Sequence, residues 1–221
     1  IYGKEKDSRY VCKSRLEKML DHEYQLLDER LDRRKHTNCK FFTYADTIST
    51  INYTKTQKGH GWIGIRFQSD PKEDPSDFII HIVLHDQDAK LQQETIGIIG
   101  TNLLHACYNE KDPKEILKRA YDSLERDQFE IDMVETTGPN FKNIDNRLLS
   151  LTLVKERMTN AVIFTPDGKN KQPSDILYKK NILTMRGSFR PVTKVNIDML
   201  EKGLEGFKES KKVNQNNIQI L

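Results

Sequence analysis

A chain of 221 residues is long enough to bury a core without disulfides or metals, and 36% hydrophobic against 31% charged residues, at a mean hydropathy of -0.73, describes a wet surface over that core rather than a membrane protein. Thirty-six Lys and Arg against 33 Asp and Glu leave a net charge of +3, too even for a dedicated nucleic-acid binder. The apolar runs 78–84 and 96–104 are too short to span a bilayer, no signal peptide opens the chain, and the three scattered cysteines, Cys12, Cys39 and Cys107, read as free thiols, so a cytoplasmic protein with no membrane partner is expected.

Ser8 is placed to cap a helix running to about Lys35, in which Leu16, Met19, Leu20, Tyr24, Leu27 and Leu31 recur at three and four residues. Residues 1–36 thus read as an amphipathic packing or connector helix. Because the first residue is Ile1 rather than Met, the chain is expected to be a fragment of something longer. Segments 40–53 and 62–68 are β-like and form a hairpin around the turn-rich 55–61, and a loop with Pro71 and Pro75 follows.

Residues 78–84 form a continuous apolar run, the pattern of a strand buried on both faces. Helical spacing follows over 93–108, where Gly97 and Gly100 are expected to allow close packing on a sheet, and over 112–126, with Asp112 as cap and Pro113 in the first turn. A strand over 129–135, a turn at 136–140, a helix to about 158 and a strand over 160–164 complete an alternating order. That order predicts an α/β fold with a mixed, largely parallel sheet, flanking helices and right-handed crossovers, preceded by the long helix and the hairpin. One domain over 37–210 is expected, including a short strand at 182–185 and a last helix at 197–209, with 211–221 a flexible polar tail.

In open α/β sheets ligands bind beyond the carboxyl ends of the strands. If the strands are parallel, the loops after 84, 135 and 164 share one edge. Thr137, Gly138 and Asn140 would then offer backbone and polar contacts at the start of a helix, although neither dinucleotide nor P-loop fingerprint is complete. Arg147, Lys180, Arg186 and Arg190 are candidate clamps for an anion, and Asp167 or His60 a candidate acid or base. Each has a plainer reading: a turn with its cap, a salt bridge, Arg stems laid over a core, a loop histidine beside an anchoring Trp62. His81, inside an apolar strand, reads as a hydrogen-bonded core histidine. It shares a face with His85 but lacks a third metal ligand, because Asp86 points the other way, so no metal site is assigned.

Three strings, HGWIGIRFQ (60–68), GPNFKNIDNRLLSLTLV (138–154) and LYKKNILTMRGSFRPVTKVNIDML (177–200), together resemble an uncharacterised bacterial family found for example among Bacteroidota. The resemblance covers nearly the whole chain and implies longer relatives with this region towards their C-terminal end. Automatic labels in that family, nicotinate-nucleotide adenylyltransferase and TonB-dependent receptor, are not carried by these residues. His60-Gly61-Trp62-Ile63 is not HxGH, Ile48-Ser49-Thr50-Ile51 only echoes ISSTxxR, and an outer-membrane receptor needs many long alternating strands and an export signal.

The expectation is an enzyme or enzyme domain that binds a phosphorylated or carboxylated small molecule, nucleotides among them, at the strand ends. The alternative is a protein-interaction or oligomerisation module, part of a homo-oligomer or larger assembly; a third and less favoured reading is RNA binding through Arg186–Arg190 and the basic helix ends, which the near-balanced charge weakens. The sequence names no cofactor.

Overall fold

The computed structural model describes residues 11–31, 35 and 39–221, so the expected Ser8 cap lies outside the described residues. Two compact units divide the chain, Ile1–Asn170 and Lys171–Leu221, and the division falls inside the span 37–210 that the sequence presents as one domain.

In the first unit, helix α1 (Lys13–Leu31) is followed by strands β1 (Phe41–Ser49), β2 (Gly59–Gln68) and β3 (Ser76–Leu84), helices α2 (Ala89–Asn109) and α3 (Pro113–Arg119), strand β4 (Phe129–Thr137) and helix α4 (Asn146–Lys155). The expected hairpin is present, with Phe41 opposite Gln68 and Ser49 opposite His60. The sheet runs in the order β1-β2-β3-β4, and every pair in it is antiparallel. The expected largely parallel sheet is therefore incorrect.

The cause lies in the connection from β3 to β4. A single helical crossover returns the chain for a parallel strand. Here α2 and α3 pack together as a pair, tied by hydrogen bonds from Asn102 Nδ2 to the carbonyls of Ala120 and Asp122. The chain goes out and comes back, so Phe129 enters β4 opposite Leu84, the residue at which β3 ended. Nor does the segment 160–164 join the sheet. Only β5 (Ile163–Phe164) is strand, and it pairs with β6 (Asn170–Lys171) in a two-stranded ribbon.

Alternation along the strands gives the sheet two apolar faces. Ile63, Ile65, Phe78, Ile80, Ile82, Ile131 and Val134 pack under α2, α3 and α4 with Ile99, Leu103, Ile116 and Leu153, all essentially inaccessible. The opposite face carries Ala45, Trp62, Ile79 and Met133, covered by Leu16 and Leu20 of α1. Helix α1 comes so close at Gly64 that a Cβ there would stand 2.8 Å from Leu20 Cδ1. At the rim of this contact Arg66 makes a two-pronged ion pair with Asp77, 2.7 Å at each prong, and reaches Asp21 of α1. Of the two helical glycines, Gly100 does permit close packing, 3.0 Å from the Tyr44 ring, whereas a Cβ on Gly97 would meet open space.

The second unit contains α5 (Pro173–Leu177), β7 (Asn181–Leu183), α6 (Lys194–Glu209) and β8 (Ile218–Ile220). The tail is not wholly loose: β8 pairs in parallel with β7, Asn181 opposite Ile218, and Met185 N donates to Leu221 O at 2.9 Å. Thr193 and Asn196 form a reciprocal capping box at the start of α6, and Leu200, Leu204 and Phe207 on its inner side are half-buried. No apolar side chain of this unit is fully buried.

No helix among the described residues is long and apolar enough to cross a membrane.

Candidate functional site

Antiparallel pairing separates the loops expected to share an edge. Thr137 at the end of β4 lies opposite Asp77 near the start of β3, while the loop after Leu84 is at the other end of the sheet. Gly138, at φ +90°, fits its turn because the backbone of Pro75 and Ser76 presses against it; a Cβ would stand 2.5 Å from Pro75 O. Asn140 is held by Ser76 and Ser69, with its backbone N–H donating to Ser76 Oγ at 3.0 Å and its side-chain amide to Ser69 Oγ at 3.0 Å. Gly138 and Asn140 thus tie the turn to a neighbouring loop, and Thr137, Gly138 and Asn140 are all exposed.

Arg147 is bound to Asp145 through Nε at 3.1 Å and Nη2 at 2.7 Å, and these bonds hold the Asp145 carboxyl well down, at about 2. Its Nη1 stands 3.3 Å from the place a Cβ on Gly168 would take, which sets it beside the β5–β6 turn. In that turn Asp167 accepts from Thr165 and pairs with Lys169 at 3.0 Å, and these two partners pull its carboxyl down to about 2. A carboxylate so acidic is poorly matched to proton transfer near neutral pH. Lys180, Arg186 and Arg190 belong to the second unit and are exposed there.

The fold does join His60, which the sequence nominates, to two residues it does not. Register places Trp62 opposite His81 and His81 opposite Met133 on the α1 face, with His60 one pleat further along β2. Between His81 and Ile82 the register to β4 shifts, a β-bulge whose extra residue is Asp132. The bulge brings the Asp132 carboxylate to 2.5 Å from His81 Nδ1, while His81 Nε2 lies 3.4 Å from His60 Nδ1. His81 is fully buried and Asp132 is 8% exposed, whereas His60 is half-exposed at the outer end of the chain. The Trp62 ring stands edge-on to His81, 4.9 Å between centroids.

Asp132 accepts, so His81 Nδ1 donates to it. If His81 is uncharged, its Nε2 accepts from His60 Nδ1–H and the lone pair of His60 is on Nε2, the nitrogen away from the relay. Burial chiefly, and His81 secondarily, push the His60 pKa below its ordinary value against the opposing pull of Asp132. His60 is thus held as a neutral imidazole at pH 7.

No family model, curated protein or solved structure matches this chain.

Other groups with chemistry in them do not compete with this site. Burial pushes the Cys107 thiol up to about 12, which removes it as a nucleophile near neutral pH. Among the described residues no group of three or more His, Cys, Asp or Glu is arranged to hold a metal. The signal in the sequence that could have found the relay is weak: His81 interrupts the apolar run of β3, but Asp132, 51 residues away, is one of three acidic residues in β4.

Proposed function

We propose that the first unit is an enzyme domain in which His60 exchanges a proton with a small-molecule substrate. The observation that supports this is the continuous chain from buried Asp132 through buried His81 to half-exposed His60, built around a bulge that re-aims the carboxylate. His60 Nε2 takes the proton. Its Nδ1–H remains on His81 Nε2, and passage of that proton to His81 leaves the positive charge beside the Asp132 carboxylate. Of the groups around the imidazole, the Asp132 carboxylate is the one that favours the charged form, against burial and His81, and its place behind His81 is the arrangement a general base uses to hold its orientation. The substrate is proposed to be a phosphorylated or carboxylated small molecule, nucleotides included.

The test is a turnover screen of the whole chain against phosphate esters, nucleotides and carboxylates, repeated with His60→Gln. Loss of the base should lower turnover roughly 10²- to 10⁴-fold with the melting temperature held. Activity in the wild type should also fall on acidification, as His60 becomes protonated. Equal turnover by His60→Gln would sink the assignment.

A further inference from the structure

The near balance of charge over the chain conceals a division. Residues 171–221 hold ten of the 36 basic residues but only five of the 33 acidic ones, so the remaining 170 residues are slightly acidic and the small unit is strongly basic. In the first unit Lys13, Arg66, Lys90, Lys118, Arg119, Arg147 and Lys169 have a carboxylate partner, while others among the described residues, such as Lys55, Lys72 and Lys142, are in no ion pair. In the second, among the described residues, Lys202 is paired with Glu205, but Lys179, Lys180, Arg186, Arg190 and Lys194 have no acidic partner and are all exposed.

Their placement follows from strand geometry. Along the extended segment through β7, Asn181, Leu183 and Met185 are half-buried while Lys180, Ile182, Thr184 and Arg186 are exposed, so the two cations lie on one outward face. At about 3.3 Å per residue they are roughly 20 Å apart, too far for one phosphate and suited to several in a row. Arg190 and Lys194 continue the cationic stretch. Just ahead of it Tyr178 is 70% exposed, with Lys179 Nζ over one face of its ring at 5.0 Å from the centroid. An exposed ring beside a row of unpaired cations is the combination that holds a flexible strand of nucleotides: phosphates meet the charges and a base stacks on the ring. An acidic peptide would use the charges but not the ring.

We infer that this face of the second unit binds single-stranded nucleic acid, Lys180, Arg186 and Arg190 contacting the backbone and Tyr178 a base. This is independent of the proton relay at His60.

The experiment is fluorescence anisotropy of the whole chain with a labelled twelve-nucleotide oligouridine at 50 and 200 mM KCl. Three phosphate contacts at a salt slope of about 0.7 each give roughly a 20-fold loss of affinity between the two. The combined Lys180→Ala, Arg186→Ala, Arg190→Ala variant should bind far more weakly and lose most of the salt dependence. The charge-keeping pair Arg186→Lys, Arg190→Lys and the control Lys202→Ala should bind like the wild type. Tyr178→Ala should weaken binding with the salt slope unchanged. Absence of binding at 50 mM, wild-type binding by the triple alanine variant, or loss of binding in the charge-keeping pair overturns the inference. So does competition by polyglutamate as effective as that of unlabelled oligouridine, which would assign the face to an acidic protein.

Discussion

His60 stands between two environments, solvent on one side and a buried histidine–carboxylate pair on the other, and its titration reports on both. Burial and His81 lower its proton affinity in the folded chain, with Asp132 opposing them. The unfolded chain, with an ordinary histidine pKa of about 6.5, takes up this proton first. Above about pH 6.5 His60 makes stability independent of pH; as pH falls below 6.5 the unfolded state binds the extra proton and stability drops. Urea unfolding at pH 7.5 and pH 5.5 should therefore show a smaller acid loss for His60→Gln than for the wild type. An identical loss in both would mean that His60 titrates alike in the two states. Of the three relay residues, His60 was legible as a candidate because histidine beside glycines and the single tryptophan stands out in a sequence. Asp132 was not, because a bulge is a property of two paired strands and leaves no local mark in either.

At the scale of elements, the contact of α1 with the sheet depends on the missing side chain at Gly64. A Cβ there would lie 2.8 Å from Leu20 Cδ1 and 3.0 Å from Leu16 Cδ2, both on fully buried leucines. Gly64→Val should therefore overpack the interface and lower stability by about 1–3 kcal/mol. Leu20→Ala alone leaves a cavity and should cost about 2–5 kcal/mol. Combined, the new methyls occupy space the leucine vacated, so the double variant should be less destabilised than the sum of the singles, as chemical denaturation of all four chains would show. Helix α1, the hairpin, β3, β4 and the cap at Asp112 follow from periodicity and local chemistry. The ends drifted by a few residues, since fraying and capping are settled by neighbours.

Across the whole molecule, both apolar clusters of the first unit draw their buried members from residues 16–158, whereas the second unit has no fully buried apolar side chain. A chain ending at Asn170 should accordingly keep its near-UV circular dichroism and cooperative unfolding. Hydrogen exchange in the full chain should be fastest, among hydrogen-bonded amides, in β7, α6 and β8, because a unit with so little buried apolar surface opens at low cost. Slow exchange there, matching β2 and β3, would contradict this picture.

The sequence by itself determined the kinds of elements and their order, because helix and strand periods, caps and turns depend on residues close together in the chain. It also determined which residues can titrate near neutral pH. The direction of the sheet was decided only by the tertiary structure, since the two helices expected after β3 fix the sense of β4, and hence which loops share an edge, only through their packing as an out-and-back pair. Tertiary structure likewise decided that Gly138 and Asn140 tie a turn to its neighbouring loop, that Asp132 meets His81, and that the chain divides where its acidic residues thin out. Each of these is a relation between residues tens of positions apart, and composition averages over it.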